Sequence, residues 1–474
     1  MSRLTLYFIL GSLLMSFGCK TLDPEPVPQL TFEVPETFSA RAENPDDFPL
    51  IQEWWQSLNS PELDAMIQMG LDKNYDLNVS KARISQAEAS LEKERAQLKP
   101  SLGFSLGGDK KQTRIKNSQT RSNTGSHSWD GSLTGAYTVD LWGEARAGVE
   151  AKNLALEAAN QDLKDASLTL STEIAQTWVN LISVRSRKKI LENQIKINTT
   201  HLDLQKLRFL HGKASALDVS QQREALAEAL SLVPLLEKEA SELLNTLGFL
   251  MGTPPGVPVQ VSTQELPTGM IPAEPGLPAD LLANRSDIRA VRVRLLSAVF
   301  DVEAAKADLL PSFTLSAAAL FSSGSLDLLF QNWVASLGAA FAGPLFDGGL
   351  RQAEVKRVRA KMDELIHLYA RTVARAIKEV EDSLVGIRRQ KEYIERLTQE
   401  LDAARLTLKD ARVQYLNGQT SYLNYLTAWV GIERLERQLV SEHANLVKEK
   451  IVLYRTIGWQ LPENKTATPA IGAE

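Results

Sequence analysis

The stretch Phe209-Leu210-His211-Gly212-Lys213-Ala214-Ser215-Ala216-Leu217-Asp218 returns later in the chain as Tyr415-Leu416-Asn417-Gly418-Gln419-Thr420-Ser421-Tyr422-Leu423-Asn424. In both copies a glycine stands where a helix would end, and a serine follows where the next helix would begin. Glycine readily adopts the positive φ that is common just after a helix, and serine is a preferred N-cap residue. Each copy therefore predicts a tight turn between two helices, and their recurrence indicates that a larger unit is duplicated.

Very long helices are predicted to lead into both turns. Residues 149–211 contain neither glycine nor proline, and residues 350–417 contain only Gly386. At 1.5 Å per residue, the first run corresponds to about 95 Å of helix. In the second run apolar residues recur at spacings of three and four, which is the narrow seam of a coiled coil. Pro234 and the Pro/Gly-rich stretch 252–278 are expected to interrupt the return path of the first hairpin.

Two further landmarks recur in the same order. Leu98-Lys99-Pro100-Ser101-Leu102 is echoed by Leu309-Leu310-Pro311-Ser312-Phe313, and Leu141-Trp142 is echoed by Leu345-Phe346. Each half thus predicts a helix, two strands, a very long helix, a glycine-containing turn and a returning helix. The predicted organisation begins with a signal peptide at 1–18 and a tether at 19–55. A first repeat follows at 56–250, with strands at about 101–142 and long helices at about 144–249, and then a linker at 251–278. The second repeat spans 279–458, with strands at about 311–346 and long helices at about 349–457, and a tail at 459–474 ends the chain.

Strict alternation of apolar with small or polar residues predicts the strands. Leu102, Phe104 and Leu106, for example, alternate with serines and glycines. Four such strands of ~10 residues fit membrane-spanning barrel strands, with the polar stretch 109–127 as an exposed loop. Four aromatic residues lie at the predicted strand ends, where an interfacial girdle belongs: Trp129, Trp142, Trp333 and Phe346. The alternative is a soluble sandwich with one wet face, against which the isolation of the strands as two hairpins weighs.

Composition argues against several classes of function. The net charge of −5 comes from 53 basic and 58 acidic residues spread evenly, without the basic face that nucleic-acid binding needs. The single cysteine excludes a disulfide framework and a cysteine-based zinc site, and the five histidines lack ligand spacing, so no metal or cofactor is expected. Neither a Gly-rich phosphate loop nor a recognisable nucleophile is present, so we expect no enzyme. The mean hydropathy of −0.18 is too polar for a bundle of transmembrane helices.

The N-terminus carries an export signal. Arg3 precedes the apolar run 4–15, which is too short to span a bilayer and has the form of a signal-peptide core. Cys19 follows directly and resembles a bacterial lipoprotein processing site, where several acyl chains would anchor the protein in a membrane. Ser16 departs from the usual leucine of such sites, and Ser16 with Gly18 also suits ordinary signal peptidase, so simple secretion is the alternative.

Physical closure suggests the architecture. Four strands cannot close a membrane barrel, and open strand edges in lipid leave backbone groups unpaired at several kcal/mol each. Several chains must therefore contribute. A dimer would give eight strands around a filled interior, whereas a trimer would give twelve strands around a lumen. The predicted fold is mainly α with a small transmembrane β-barrel portion: a trimeric channel of long coiled-coil helical hairpins and β-hairpins.

The chain resembles the TolC-like outer membrane factors. The resemblance rests on the duplication, the Leu-Lys-Pro-Ser-Leu strand entry, Asp140-Leu141-Trp142-Gly143 and the turn beginning at Gly212. Cys19 and Trp54-Trp55 make it similar to the efflux lipoprotein branch. The resemblance implies a homotrimer in outer membrane lipid that docks on a periplasmic adaptor protein and an RND-type inner-membrane transporter to export small molecules. Type I protein secretion is the alternative within this class, and a soluble coiled-coil scaffold is the alternative outside it.

The resemblance also implies roles at the two turns. In the family these turns contact the adaptor, and a hydrogen-bond network among them holds the periplasmic mouth closed. Asp218 and Tyr415 match an acceptor and a donor of that network, whereas Thr420 and Asn424 replace an arginine and an acidic residue of some relatives. The predicted gate and adaptor-contact residues are Gly212, Ser215, Asp218, Tyr415, Gly418, Thr420, Ser421 and Asn424.

Overall fold

The computed structural model describes residues 32–38, 54–116, 121–254, 256–267, 278 and 280–458. The predicted signal peptide, Cys19 and the tail 459–474 lie outside these residues. The chain divides into two compact units. The sheet unit contains the described residues within 83–160 and 290–370. The coiled-coil unit contains those within 32–82, 161–289 and 371–474.

The two halves of the chain contain helices of equal length. Each half has a helix of 22 residues, one of 67 and one of 35, which agrees with the predicted duplication. The helices are α1 Pro61–Lys73, α2 Tyr75–Ala96, α3 Glu144–Leu210, α4 Ala216–Leu250, α5 Asp280–Asn284, α6 Ser286–Ala307, α7 Leu350–Leu416 and α8 Tyr422–Thr456. None of these helices carries the long, nearly uncharged apolar stretch that crossing a bilayer requires.

The expectation that Pro234 interrupts the first returning helix is wrong. Helix α4 runs without a break through Pro234, although this residue has no N–H to donate to the preceding turn. Apolar residues on both sides of Pro234 compensate, because Ala229 and Leu236 pack in one cluster with Val184 and Leu191 of α3. Tertiary packing along this seam therefore outweighs the local preference for a break.

One antiparallel sheet contains all four strands in the order β1-β2-β3-β4, with β1 Ser101–Lys116, β2 Arg121–Val139, β3 Ser312–Ser323 and β4 Trp333–Ala342. The register places Phe104 opposite Leu133, and Phe321 opposite Trp333, so large apolar residues share one face. Hydroxyl groups line the other face, where the Oγ atoms of Ser105 and Ser132 lie 2.8 Å apart. The predicted alternation is confirmed.

The predicted loop at 109–127 is largely strand. Strand β1 continues to Lys116 and β2 starts at Arg121, with Lys116 in register with Arg121. Strand β3 stops at Ser323, opposite Trp129, so β1 and β2 run on beyond it as a two-stranded ribbon. Polar, charged composition misled the sequence argument here, since the backbone ladder of a hairpin does not require an apolar face.

A cluster around two tryptophans forms the main core of the coiled-coil unit. Trp54 and Trp178 are almost fully buried, and the Trp54 ring stacks on Tyr454 with centroids 5.7 Å apart. Glu62, in the first turn of α1, faces the segment 256–267. Its carboxylate accepts hydrogen bonds from the Ser262 hydroxyl at 2.9 Å and from the Thr263 amide at 3.2 Å. This carboxylate holds residues 262 and 263 of the predicted linker against the core.

The Glu62 anchor has a testable acid signature. Partial burial alone would raise the pKa of Glu62, but the hydrogen bonds from Thr263 and Ser262 lower it to about 2. The stabilisation is therefore complete above the ordinary pKa of about 4.5 and is lost as the pH falls toward 2. We expect Glu62→Gln to reduce stability at pH 7 by about 1–2 kcal/mol, measured by thermal unfolding, and to flatten the acid limb between pH 5 and 2. Glu88→Gln, an exposed site on α2, is the matched control; an acid limb unchanged by Glu62→Gln would contradict the assignment.

Candidate functional site

Both predicted turns close their helices with the same backbone geometry. Gly212 has φ 67° and Gly418 has φ 73°, as expected for the position after a helix. At the first turn Lys213 N donates to Arg208 O at 2.8 Å, and at the second Gln419 N donates to Gln414 O at 2.8 Å. These six-residue closures, together with the adjacent bonds from the glycine amides, form Schellman motifs. The two turns are therefore built alike.

The helices that leave the turns are capped differently. Ser215 caps α4 through a reciprocal capping box: Asp218 N donates to Ser215 Oγ at 3.1 Å, and Ser215 N donates to Asp218 Oδ2 at 2.9 Å. Ser421 occupies the same position before α8, but its side chain makes no capping bond. There Asn424 Nδ2 donates instead to Thr420 Oγ1 at 2.7 Å. Within this chain Asp218 is thus a helix-capping residue.

Tyr415 lies in a cluster of aromatic side chains near the turns. Its ring centroid is 5.3 Å from that of Tyr422 and 5.9 Å from that of Tyr425, and the Arg208 guanidinium lies 4.9 Å above it. Its hydroxyl donates to Gln205 Oε1 at 3.3 Å. Tyr415 therefore joins α7 to α3, and no hydrogen bond to Asp218 forms among the residues described.

A buried chain of hydrogen bonds continues inward from this cluster. The Tyr422 hydroxyl donates to Gln222 Oε1, Gln222 Nε2 donates to Asn198 Oδ1 at 3.0 Å, and Asn198 Nδ2 donates to Glu433 Oε1 at 2.8 Å. All four side chains are at most 5% exposed. This series of hydrogen bonds runs from α8 to α4, on to α3 and back to α8, so it connects three helices of the coiled coil.

Glu433 is the titratable end of this network. Trp429 Nε1 donates to its Oε1 at 2.9 Å, and Gln194 Nε2 donates to its backbone carbonyl at 3.1 Å, while Gln194 accepts from Arg437. Burial raises the pKa of Glu433 to about 7, although the hydrogen bonds from Trp429 and Asn198 and the charge of Arg437 lower it. Burial and the neighbouring Tyr425 and Tyr415 also raise the pKa of Tyr422 well above its usual range.

The turns are predictable from the sequence, whereas the buried network was not predicted. A signal for it exists in the spacing of Tyr422, Leu426, Trp429 and Glu433, which follow one face of α8 at intervals of four, three and four. A carboxylate on such a stripe indicates a buried polar group. Its partners Asn198 and Gln222 lie on other helices, and only the fold brings them together.

The four predicted interface aromatics lie in the sheet unit at different places. Trp333 begins β4 and is 64% exposed, and Phe346 follows β4 and is 92% exposed. Trp142 follows β2, where its Nε1 donates to Pro311 O at 2.7 Å. Trp129 is not at a strand end as expected, because β2 extends beyond it; it lies at the level where β3 ends, opposite Ser323.

No group of three or more His, Cys, Asp or Glu side chains is placed to hold a metal ion in the part of the chain that the structure describes. The polar residues of the Ser215–Asp218 capping box and of the network are instead hydrogen-bonded to one another. Their arrangement can hold helices together or let them part.

Comparison with known proteins gives a consistent result. The family described as outer membrane efflux protein matches residues 66–253 and 277–459. The pyoverdine export outer membrane protein OpmQ of Pseudomonas aeruginosa is 30% identical over 86% of this chain and 88% of its own. Nodulation protein T of Rhizobium leguminosarum bv. trifolii is 26% identical over 94% of both chains. The solved outer-membrane channel OprN superposes with a TM-score of 0.83 at 25% identity, covering 94% of this chain and 100% of that one.

Proposed function

Because the chain belongs to the outer membrane efflux protein family, we propose that three copies assemble into one efflux conduit, with a gate at the turns around Gly212 and Gly418. The supporting observation is the sheet order, which leaves β1 and β4 as outer strands that pair with no further strand among the described residues. An unpaired edge in lipid is costly, and pairing β4 of one copy with β1 of the next would satisfy both edges. Three copies would supply twelve strands around an open lumen.

The proposal extends to partners and anchoring. A tube of helices ending in two tight turns presents those turns to a periplasmic adaptor, which would connect the channel to an inner-membrane transporter of the RND type. Cys19 would carry the lipid that adds to the hold of the sheet on the outer membrane. The apolar sheet face itself supports contact with outer membrane lipid. Relatives named as efflux or export proteins favour efflux over type I protein secretion.

Closure of the gate is proposed to depend on Tyr415. Its hydroxyl bonds to Gln205, and its ring packs on Tyr422, which begins the buried network. A single hydrogen bond of this kind contributes about 1 kcal/mol, and the symmetry of a trimer repeats it three times. We expect Tyr415→Phe to raise the open population by about fivefold for each protomer that opens, measured as single-channel conductance and as uptake of a large antibiotic.

Asp218 needs a control that separates capping from latching. Asp218→Ala removes one arm of the capping box, and Ser215→Ala removes the other arm without touching the carboxylate. If Asp218 also accepts a latch bond from a neighbouring copy, Asp218→Ala raises conductance more than Ser215→Ala does. If the two substitutions raise conductance equally, Asp218 acts only as a helix cap. If conductance is unchanged in both Asp218→Ala and Tyr415→Phe, the gate at this position is refuted.

A further inference from the structure

The ribbon of β1 and β2 beyond Trp129 extends both faces of the sheet. The side chains that it adds to each face differ in chemistry from those nearer the helices. Along β1, residues 102, 104, 106, 108, 110, 112 and 114 lie on one face, because successive residues of a strand alternate. Leu102, Phe104 and Leu106 on this face are 79%, 84% and 62% exposed. It is the apolar face of the sheet, and the same face carries Lys110 and Arg114 farther along.

Cross-strand partners complete this face without adding an acidic group. Lys110 is paired with His127 and Arg114 with Asn123, while Gly108 is paired with Trp129. The Trp129 ring lies over Gly108, where a Cβ would come within 2.8 Å of it. No carboxylate stands at these described positions. The opposite face is balanced, since Asp109 and Asp130 accompany Lys111 there.

We propose that this basic strip, Lys110 and Arg114 with His127 and Asn123, docks on the phosphates of a phosphorylated glycolipid in the outer leaflet of the membrane. The proposal rests on the proposed function, namely that the apolar face of the sheet contacts outer membrane lipid and that the helices lie on the periplasmic side. Tryptophan is enriched at the boundary between acyl chains and headgroups. The face is apolar up to Trp129 and cationic beyond it. This order matches a membrane surface in which an apolar acyl-chain layer is followed by an anionic headgroup layer.

The spacing along the strand favours a sugar-based headgroup. At about 3.4 Å per residue, Lys110 lies about 7 Å beyond the Gly108–Trp129 pair and Arg114 about 20 Å beyond it. The headgroup layer of an ordinary phospholipid bilayer adds only about 6 Å on each side. Lys110 would reach phosphates in such a layer, whereas Arg114 would meet negative charge only where phosphorylated sugars thicken it. Both side chains are exposed and free to reach outward.

The test compares substitutions on the two faces of one strand. We expect Lys110→Gln with Arg114→Gln to weaken binding of a bisphosphorylated, acylated diglucosamine lipid by about 30-fold, at about 1 kcal/mol per cationic side chain near an anionic surface. Lys111→Gln removes the same kind of charge from the opposite face and should change binding by less than about twofold. Binding is measured by native mass spectrometry on the full-length, detergent-solubilised protein at low salt.

Each of the following outcomes would overturn the proposal. Lys111→Gln could weaken binding as much as the double variant, which would mean that only net charge matters. The same lipid without its phosphates could bind equally well, or inorganic phosphate could compete at the concentrations at which the lipid binds. Conductance in planar bilayers separates this proposal from the proposed function. If the wild type forms a conducting pore but the double variant binds the lipid as tightly as the wild type, only the docking strip is refuted. If the wild type forms no pore, the proposed function is refuted.

Discussion

Replacing Arg285 by methionine is expected to lower the free energy of unfolding by about 3–5 kcal/mol, the cost of removing one partner from a buried ion pair. The Arg285 side chain is only 8% exposed. Methionine fills similar space without the charge, so the loss reports the electrostatic and hydrogen-bonding role of the guanidinium. The two carboxylates that Arg285 neutralises would remain behind, poorly solvated and facing each other.

The contacts of Arg285 explain why the expected loss is large. It binds Asp287 with two parallel bonds of 3.0 and 2.8 Å, and Glu379 of α7 with a third of 2.9 Å. Its Nη1 also donates to Thr456 O, the last carbonyl of α8, at 2.8 Å. Burial would raise the pKa of Asp287, and the bonds and charge of Arg285 hold it below its ordinary value. One side chain thus joins the start of α6, the middle of α7 and the end of α8.

Arg375 provides the matched control. It lies 3.8 Å from Asp287 and 3.5 Å from Glu379 but is 62% exposed, so water screens its charge. Arg375→Met should cost less than about 1 kcal/mol, as exposed ion pairs do. Denaturant unfolding of the solubilised protein, with secondary structure as the readout, compares the two variants. Equal losses for Arg285→Met and Arg375→Met would show that the buried pairing is not what stabilises this junction.

The duplicated half contains the same junction without the charge. Asn74 stands directly before α2 as Arg285 stands directly before α6. Its Nδ2 donates to Leu250 O, the last carbonyl of α4, at 2.9 Å, and its Oδ1 accepts from the amides of Asp76 and Leu77. In both halves one side chain therefore connects the end of the 35-residue helix with the start of the 22-residue helix. The two copies differ in whether that side chain is a neutral amide or a cation.

The parts of the fold that were predictable from sequence are those specified by local chemistry. The turns at Gly212 and Gly418 need positive φ, and the apolar seam in the run 350–417 repeats at helical spacing, so both could be located without a structure. The alternation around Leu102 and Phe104 fixed the faces of the sheet in the same way. Pro234 was mispredicted because packing of α4 on α3 outweighed the local preference for a break. The ribbon at 109–127 was mispredicted because its backbone ladder forms despite a polar, charged composition.

The polar network escaped prediction for a different reason. Asn198, Gln222 and Glu433 are unremarkable residues on three separate helices, and nothing within any one helix indicates that they meet. Burying them is acceptable only because each finds a hydrogen-bond partner, since an unpaired polar group in such a setting costs about 1–3 kcal/mol. This network places a titratable carboxyl inside the coiled coil, and the hydrogen bonds through Asn198, Gln222 and Tyr422 connect it to the aromatic cluster around Tyr415.

Glu433→Gln is expected to remove a pH dependence of stability that the wild type has between about pH 4.5 and 7. With its pKa raised to about 7 by burial, Glu433 binds a proton more tightly in the folded chain than in the unfolded chain, where the pKa is about 4.5. Its contribution to stability is therefore greatest below pH 4.5 and is lost as the pH rises through 7. At pH 8 the variant should exceed the wild type by about 3 kcal/mol at most, and at pH 4.5 the two should nearly coincide.

The neighbours of Glu433 determine how the experiment is controlled. Asn198 and Trp429 can donate to a glutamine oxygen as they do to the carboxylate, and Arg437 keeps Gln194 as its acceptor. The substitution thus removes the charge and leaves the hydrogen bonds in place. Glu436→Gln, three residues on and with a side chain 35% exposed, makes the same change of charge where water can screen it.

Thermal unfolding at pH 4.5, 6 and 8 compares the three proteins. The prediction is contradicted if the stability of the wild type does not fall relative to that of Glu433→Gln as the pH rises over this range. The buried carboxyl would then already be ionised at low pH, with its charge balanced by Arg437.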